Sequence, residues 1–311
     1  MKKRKKRIFT VFVALVILPI AISACQSQEA GKGQTELPPA LAVLDAEKIT
    51  AQNEICTNHV EGQITAWASR EVENLEQVYT GEIVHFDGGP AFVGIDEVTR
   101  MAENMWIMFS KWEMKAGKTY ISDNICLGEW KNWGLFGFKQ EDPGIEYDWL
   151  EYNDDGIYFW RLFYDEKFQK EFNHPERIDA EFLDSFVNAW SDQNKNELVK
   201  IYNQDAQLED TLFGVQKNGI DEIAAYSLSF FAQFQDAEWH LLDAFGEEDA
   251  NNEQYPFTYQ GGIMEIELPD SGSGNCTIRA AVLLAPDDEG KIISQKMFYN
   301  PQSLIDCGLA Q

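Results

Sequence analysis

Two stretches of the 311-residue chain share one pattern: residues 66–87 are AWASREVENLEQVYTGEIVHFD, and residues 189–210 are AWSDQNKNELVKIYNQDAQLED. Matching residues stand 123 positions apart, as in the pairs Trp67 and Trp190, Tyr79 and Tyr202, and Asp87 and Asp210. Each stretch predicts a helix ending near its tryptophan, a second short helix, and a strand ending on the aspartate. A period this long is not that of a solenoid, so the sequence predicts a duplicated domain.

The similarity continues beyond these stretches. The segments GIDEV at 94–98 and GIDEI at 219–223 each open a further predicted helix, and strand-rich sequence follows. The predicted strands are 112–123, 125–138, 145–153 and 157–165 in the first repeat, and 237–247, 255–268, 275–285 and 291–300 in the second. Two domains, 47–168 and 178–305, are therefore predicted, with a short polar link between them.

The first 25 residues have the features of a secretion signal. The basic segment MKKRKKR precedes an apolar run that ends in small residues just before Cys25. This arrangement resembles the lipobox of bacterial lipoproteins, in which the cysteine becomes the lipidated N-terminus. We therefore expect a signal peptide (1–25), a flexible tether (26–46), and a protein lipid-anchored to the bacterial cell membrane outside the cytoplasm. An uncleaved membrane anchor or an ordinary signal peptide is the alternative.

The charge of the chain is strongly negative. Residues 1–25 hold six of the 25 basic residues and no acidic residue, so the remainder carries 19 basic against 52 acidic side chains, a formal charge of −33. Such a field repels nucleic acid, which is therefore not expected as a partner. It is typical of a solubilising surface, and it also attracts cationic ligands or divalent ions.

Four cysteines remain after Cys25, and four cysteines allow three disulfide connectivities. Two lie in each half of the chain, so Cys56–Cys126 and Cys276–Cys307 is the simplest assignment. The sequence has no CxxC motif and no Cys/His cluster, and its acidic turns lack calcium-loop spacing. We therefore predict neither a metal site nor a cofactor.

The order of predicted elements and a short motif resemble the SnoaL-like polyketide cyclase and ketosteroid isomerase branch of the nuclear-transport-factor-2-like superfamily. The motif joins a tryptophan, a leucine, a tyrosine and an aspartate, followed by a glycine and an aliphatic residue. The matching positions are Trp67, Leu75, Tyr79, Asp87, Gly94 and Val98 in the first repeat, and Trp190, Leu198, Tyr202, Asp210, Gly219 and Ile223 in the second.

The resemblance implies an α+β fold with two tandem cone-shaped domains, each a curved antiparallel sheet wrapped around three helices. It also implies an apolar pocket inside each cone. We expect the two cones to pack through their sheets as an intrachain pseudo-dimer.

The resemblance further implies that Asp87 or Asp210 would be a general base at the pocket mouth, because the isomerase base occupies this position. His85, two residues before Asp87 on the same strand, could complete an acid–base pair. The alternative is that His85 only packs against a neighbour or forms a hydrogen bond with it. The hydrogen-bond donors of the isomerase are not matched, since its helix tyrosine falls near Gln63 and Phe186. A steroid isomerase activity is therefore not expected.

Aromatic residues are the other candidate ligand contacts. The predicted ligand-binding residues are Trp67, Tyr79, Trp130, Trp133, Trp190 and Tyr202. An aromatic-lined pocket would suit a planar or sugar-like ligand, or a cation held over a ring. The leading hypothesis is binding of a small apolar or aromatic molecule. The alternatives are a cyclase, isomerase or hydratase using a pocket aspartate, and a protein-interaction module.

Overall fold

The computed structural model describes residues 41–87, 91–171, 178–247, 257–269 and 275–311. The predicted signal peptide with its lipidation site Cys25, most of the predicted tether, and the link at 172–177 lie outside these residues. The described residues form one compact unit. No helix of the described ranges is both long enough and apolar enough to cross a membrane.

Within its described residues the first repeat contains four helices and six strands: α1 (Ala46–Ser69), α2 (Val72–Val78), β1 (Tyr79–Phe86), β2 (Phe92–Val93), α3 (Ile95–Met108), β3 (Glu113–Ser122), β4 (Ile125–Trp133), β5 (Gly144–Asn153), β6 (Gly156–Asp165) and α4 (Glu166–Glu171). The second repeat has the same order: α5 (Ala180–Ser191), α6 (Lys195–Ile201), β7 (Tyr202–Asp210), a 3₁₀ turn (Thr211–Phe213), β8 (Val215–Asn218), α7 (Ile220–Gln233), β9 (Glu238–Gly246), β10 (Gln260–Leu268), β11 (Cys276–Pro286), β12 (Ile292–Tyr299) and α8 (Pro301–Asp306). The fold is thus α+β with a large curved sheet, and each repeat has one short helix more than the three predicted.

Two helices begin directly after residues whose side chains cap them. Asp45 caps α1 by accepting hydrogen bonds from the backbone amides of Glu47 and Lys48. Asn194 precedes α6 and caps it by accepting a hydrogen bond from the backbone amide of Asn196.

Two strand predictions were too long, since β10 begins at Gln260 and the described residues 257–259 before it are not in a strand. Strand β4 ends at Trp133 rather than at residue 138, because Gly134, Phe136 and Gly137 all have positive φ angles. Gly134 in addition lies against the Lys111 carbonyl, where a Cβ atom would come within 1.9 Å of the oxygen. The backbone therefore turns here, and only a glycine fits at position 134.

The end of the predicted tether is packed against the folded unit. Leu41 is buried, and its amide donates to the Gln233 side chain at 3.0 Å. Leu44 pairs with Ala310 in an isolated bridge, so the C-terminal residues cover the start of α1. The described residues before α1 therefore belong to the fold and not to a free tether.

Eight strands of the sheet form a closed ring. Their order is β11-β10-β9-β6-β5-β4-β3-β12, and β11 and β12 also pair with each other. Two junctions connect the repeats: Tyr164 and Asp165 on β6 pair with β9, and Ile121 on β3 pairs with Tyr299 on β12. Strands β1 and β7 attach in parallel to β6 and β12, respectively.

One face of these strands carries a buried cluster shared by both repeats: Phe86, Tyr120, Leu127, Tyr147, Trp149, Phe159, Phe163, Phe245, Tyr259, Ile263, Ala281, Leu283, Ala285 and Phe298. A buried ion pair crosses the cluster, where Arg161 donates two hydrogen bonds of 2.5 Å to Glu247. The Arg161 guanidinium also lies 5.4 Å and 5.1 Å from the ring centroids of Phe86 and Tyr259. The opposite face of each sheet packs on the helices and forms the interior of a cone.

Each repeat has the predicted disulfide. Cys56 in α1 is bonded to Cys126 in β4, with Cα atoms 5.6 Å apart, and Cys276 is bonded to Cys307, with Cα atoms 5.3 Å apart. The first bond attaches the long helix to its own sheet. The second attaches the end of the chain to β11.

Candidate functional site

The repeated tryptophan and tyrosine form the same hydrogen bond in both cones. The Trp67 indole donates to the Tyr79 hydroxyl at 2.9 Å, and the Trp190 indole donates to the Tyr202 hydroxyl at 3.2 Å. All four side chains are buried. The pair satisfies a buried indole N–H and attaches the first helix of the repeat to the first strand, which is a structural reason for the repetition.

The repeated aspartates also have equivalent partners. The hydroxyl of Tyr299, the last residue of β12, donates to Asp210 at 2.6 Å, and Tyr164 near the end of β6 donates to Asp87. Burial raises the pKa of Asp210 to about 7, although the Tyr299 hydroxyl and the Phe213 amide oppose the increase. Each aspartate therefore connects the first and last strands of its repeat.

His85 is not poised as an acid at neutral pH. Its ring is fully buried and stacks on Trp160 with centroids 3.7 Å apart, and its Nδ1 lies 3.3 Å from the Trp160 carbonyl oxygen. Burial lowers the pKa of His85 to about 3, because the cation would be desolvated there. The side chain is thus a neutral imidazole packed within the first cone.

The two tryptophans of EWKNW lie on opposite faces of β4. Trp130 is buried in the cone interior, and on the neighbouring strand it is paired with Glu146. Trp133, three residues on, donates to Glu113 at 2.9 Å in an exposed pair. Of these two predicted ligand contacts, the structure places only Trp130 inside the cone.

A pair of carboxyl groups inside the first cone was not predicted from the sequence. Strand β5 alternates, so Tyr147 and Trp149 join the cluster between the repeats, whereas Leu150 packs in the cone interior. Glu146 and Asp148 share the face of Leu150. Glu146 is 6 % exposed and Asp148 is 0 % exposed. Two acidic side chains are therefore buried on the inner face of this strand.

Asp148 has no hydrogen-bond partner within the described structure at either carboxyl oxygen. Burial raises the pKa of Asp148 well above its usual range, and the nearby charges of Glu146 and Asp87 raise it further. The Trp160 indole lies close enough to oppose the increase, without forming a well-directed hydrogen bond. An unpartnered buried carboxyl group is costly, and in a native fold it indicates a missing ligand, ion or water.

Glu146 is a second buried carboxyl group with a raised pKa. Burial raises the pKa of Glu146 well above its usual range, and Asp87 and Asp165 add to the increase, while the Asn132 side chain opposes it. No lysine or arginine in the described ranges forms an ion pair with Glu146 or Asp148. Protonation, or a cation from outside the described chain, must balance these groups.

Further buried polar atoms without a well-directed hydrogen bond lie in the first repeat. They are the amide nitrogen and oxygen of Gln63, the indole nitrogens of Trp130 and Trp160, and Nε2 of His85. Trp160 stacks on Trp130 and Tyr79 with ring centroids 6.2 Å and 5.5 Å apart. We call Gln63, Trp130, Glu146, Asp148 and Trp160 the first-cone cluster.

The second cone has the same geometry, with uncharged and mostly apolar side chains at the positions of the first-cone cluster. Glu146 pairs with Tyr164 on the neighbouring strand, and Ala280 pairs with Tyr299, which is the counterpart of Tyr164. Glu146 and Ala280 therefore occupy equivalent positions. Asp148 pairs with Leu162, and Val282 pairs with Met297, which is the counterpart of Leu162. Asp148 and Val282 are therefore equivalent as well. The remaining counterparts of the first-cone cluster are Phe186 for Gln63, Met264 for Trp130 and Gln295 for Trp160.

The interior of the second cone is nearly filled by side chains. A cavity beside Trp190, Asp210 and Tyr226 has a volume of about 10 Å³, roughly the space for one water. Gln295 accepts a hydrogen bond from Tyr202, so its carbonyl oxygen is satisfied. The predicted contact Trp190 therefore lines a cavity that is too small for an organic ligand, and the predicted contact Tyr202 is bonded to Gln295 in its wall.

Potential metal ligands occur on the surface. Within the described residues, Glu238, His240 and Glu267 have ligand atoms within 4.8 Å of one another, and all three side chains are exposed. His240 Nε2 lies 3.7 Å from a carboxylate oxygen of each glutamate. Such exposed clusters are common without an ion, and this one lies on β9 and β10 of the second repeat.

Solved structures with a related fold cover parts of this chain. A ketosteroid-isomerase-like protein from Catenulispora acidiphila, solved in complex with trimethylamine, is 17% identical over 42% of this chain and 95% of its own, with a TM-score of 0.36. A protein from Shewanella denitrificans described as a SnoaL-like polyketide cyclase is 16% identical over 40% of this chain and 93% of its own, with a TM-score of 0.33. An NTF2-like protein from Cytophaga hutchinsonii is 16% identical over 40% and 91%, with a TM-score of 0.30.

These structural neighbours are SnoaL-like, NTF2-like and ketosteroid-isomerase-like proteins. They are the group that the sequence resembles. No protein-family profile matches the sequence, and no curated protein matches it.

Proposed function

We propose that this protein binds a small molecule inside its first cone, at the first-cone cluster. The observation that carries the proposal is Asp148, a fully buried carboxyl group with neither oxygen hydrogen-bonded within the described structure. The same position in the second cone is Val282, which needs no partner. A fold that tolerates an apolar residue here has no structural need for an acid, so the acid is best explained by a ligand.

The location of this activity is part of the proposal. We propose that Cys25 is lipidated and anchors the chain outside the cytoplasm, with the two repeats packed as an intrachain pseudo-dimer. The two disulfides support an oxidising compartment. Metabolic labelling with a fatty-acid analogue should label the wild-type protein and not Cys25→Ala. Equal labelling of both would contradict the anchor.

Native mass spectrometry of the gently extracted full-length protein tests the binding site. We expect one small molecule per chain in the wild type, and its loss in the double variant Glu146→Ala/Asp148→Val, which installs the residues of the second cone. The matched control is Asp210→Asn, which alters a buried acid of the other cone and should retain the ligand. A wild type with no added mass, or a double variant that retains the same added mass as the wild type, would contradict the proposal.

A catalytic function is the second candidate, and one observation favours it. The raised pKa values of Glu146 and Asp148 leave both groups able to donate a hydrogen bond to a carbonyl oxygen. Asp87, whose charge acts on both groups, would then be the proton acceptor. The donors judged missing from the sequence are therefore available in the first cone, although not in the second. Turnover of a ketone substrate that Asp87→Asn abolishes would establish this alternative.

A further inference from the structure

We propose that the ligand of the first cone is a protonated amine, whose N–H groups donate to Asp148 and Glu146 and whose charge lies against the surrounding indoles. This inference rests on the proposed binding function and adds the chemical class of the ligand. Three features of the described residues support it: the sign of the charge, the hydrogen-bond acceptors left without donors, and the aromatic lining.

The charge excludes an anion and favours a cation. Glu146 and Asp148 lie on one face of β5, and the charge of Asp87 acts on both. No basic side chain of the described ranges is ion-paired with either residue of the β5 pair. A cationic ligand would allow both groups to ionise, because an opposite charge at short distance stabilises the carboxylate.

The hydrogen bonds that Asp148 can still accept restrict the class of ligand further. An ionised carboxylate only accepts hydrogen bonds, and both oxygens of Asp148 are without a donor in the described structure. A primary, secondary or tertiary ammonium group supplies such donors, whereas a quaternary ammonium does not. The indole N–H groups of Trp130 and Trp160 are also unpartnered, so the ligand or an accompanying water should present an acceptor to them.

The aromatic lining suits a cation. Trp160 lies close to Asp148 and stacks on Trp130 and Tyr79, and Trp130 pairs with Glu146 across the strands, so aromatic rings lie beside the acidic pair. Ring faces attract cations, and the attraction is stronger at a site shielded from water. The equivalent positions in the second cone, Met264 and Gln295, offer no ring.

Calorimetric titration of the full-length protein in detergent with matched probes tests the class. Benzylamine hydrochloride and benzyl alcohol have the same ring, and only the first carries a charge and three N–H donors. We expect benzylammonium to bind at least about tenfold more tightly than benzyl alcohol near pH 8, as is typical of hydrogen bonds to charged groups. Equal or tighter binding of benzyl alcohol would overturn the proposal.

Variants locate the effect. Glu146→Gln/Asp148→Asn keeps the side-chain shapes and should weaken benzylammonium binding at least about tenfold while leaving benzyl alcohol binding unchanged. Asp210→Asn, in the second cone, should change neither. A double variant that binds benzylammonium as tightly as the wild type would place the cation elsewhere and overturn the proposal.

The pH dependence is an independent readout. The titratable groups that act on the pair are Asp87, which follows β1, Tyr79 on β1, and Tyr164 and Asp165 on β6. The pair itself titrates above the usual carboxyl range. Binding of a cation displaces protons from the pair, so affinity for benzylammonium should rise as the pH rises from about 5 to 8. A flat or falling affinity over this range would contradict the proposal.

Two further outcomes separate the ligand class from the proposed function. Tight binding of cyclohexanone at low pH, without amine binding, would overturn the amine and keep a small-molecule site made of neutral carboxylic acids. Failure of every probe, together with no co-purified molecule in native mass spectrometry, would overturn both.

Discussion

The two repeats have the same fold and differ in what fills their cones. The hydrogen bonds from tryptophan to tyrosine and from tyrosine to aspartate occur in both. Glu146 and Asp148 occur only in the first, where the second has Ala280 and Val282. The residues that repeat thus hold each cone together, and the candidate site consists of residues that do not repeat.

The largest expected effect is obtained by giving the second cone a residue of the first. Val282→Asp would place a carboxyl group in an interior that has space for about one water. We expect the free energy of unfolding to fall by about 3–5 kcal/mol, since the acid would lack partners there. Urea denaturation measures the change, with the conservative Val282→Ala as a control for lost packing. A loss no larger than that of Val282→Ala would show that both cones tolerate buried acids.

The next largest effect is the change of the free energy of unfolding with pH that results from the titration of Asp210. The folded protein keeps Asp210 protonated up to a pKa of about 7, while the unfolded chain loses the proton near 3.8. Stability contributed by the neutral form is therefore fully present below pH 3.8 and is lost as the pH rises to about 7. At about 1.4 kcal/mol per pKa unit, the loss approaches 4 kcal/mol.

The variant Asp210→Asn removes this titration. Urea denaturation at several pH values between about 4 and 7 should show a smaller decline in stability for the variant than for the wild type. Parallel curves for the two proteins would mean that Asp210 titrates normally in the folded state.

A smaller effect is expected from removing the tyrosine hydroxyl that donates to the aspartate in each repeat. Tyr299→Phe removes a donor from Asp210, which is 1% exposed, and should cost about 1–3 kcal/mol. Tyr164→Phe removes the donor of Asp87, which is only half-buried, and should cost less because water can replace the hydroxyl. Denaturation of both variants under one condition gives the ranking, and the reverse order would contradict it.

The smallest effect has the opposite sign. Asp148→Val, which installs the second-cone residue, should raise the free energy of unfolding of the ligand-free protein by about 1 kcal/mol or more, because an unpartnered acid is removed. Thermal unfolding of the wild type and the variant after ligand removal measures the gain. A destabilised variant would show that Asp148 has a structural role in the first cone.

Much of the fold was predictable because it depends on local patterns. The GIDEV and GIDEI segments open α3 and α7, and strands β5 and β6 lie within one residue of their predicted bounds. The disulfide pairing followed from the division of the cysteines between the repeats. The turn after β4 was missed because residues such as Phe136 rarely adopt positive φ.

The carboxyl pair could not be predicted by the same means. Period-two alternation shows that Glu146 and Asp148 share a face of β5, but it does not show which face is solvated. An acidic face would ordinarily be assigned to solvent. Here both faces are covered, one by helices and the other by the sheet of the other repeat. The comparison of β5 with its apolar counterpart β11 was the available signal.

The closed ring of eight strands also constrains the order in which the chain can fold. Strand β3 of the first repeat finds one of its neighbours, β12, only after the end of the second repeat is available. The first cone therefore cannot complete its sheet while the chain is still emerging, and contacts of such long sequence separation slow folding. The unpaired β3 edge and the aromatic face around Trp149 would attract other chains during that interval. The high negative charge of the sequence keeps such incomplete chains apart.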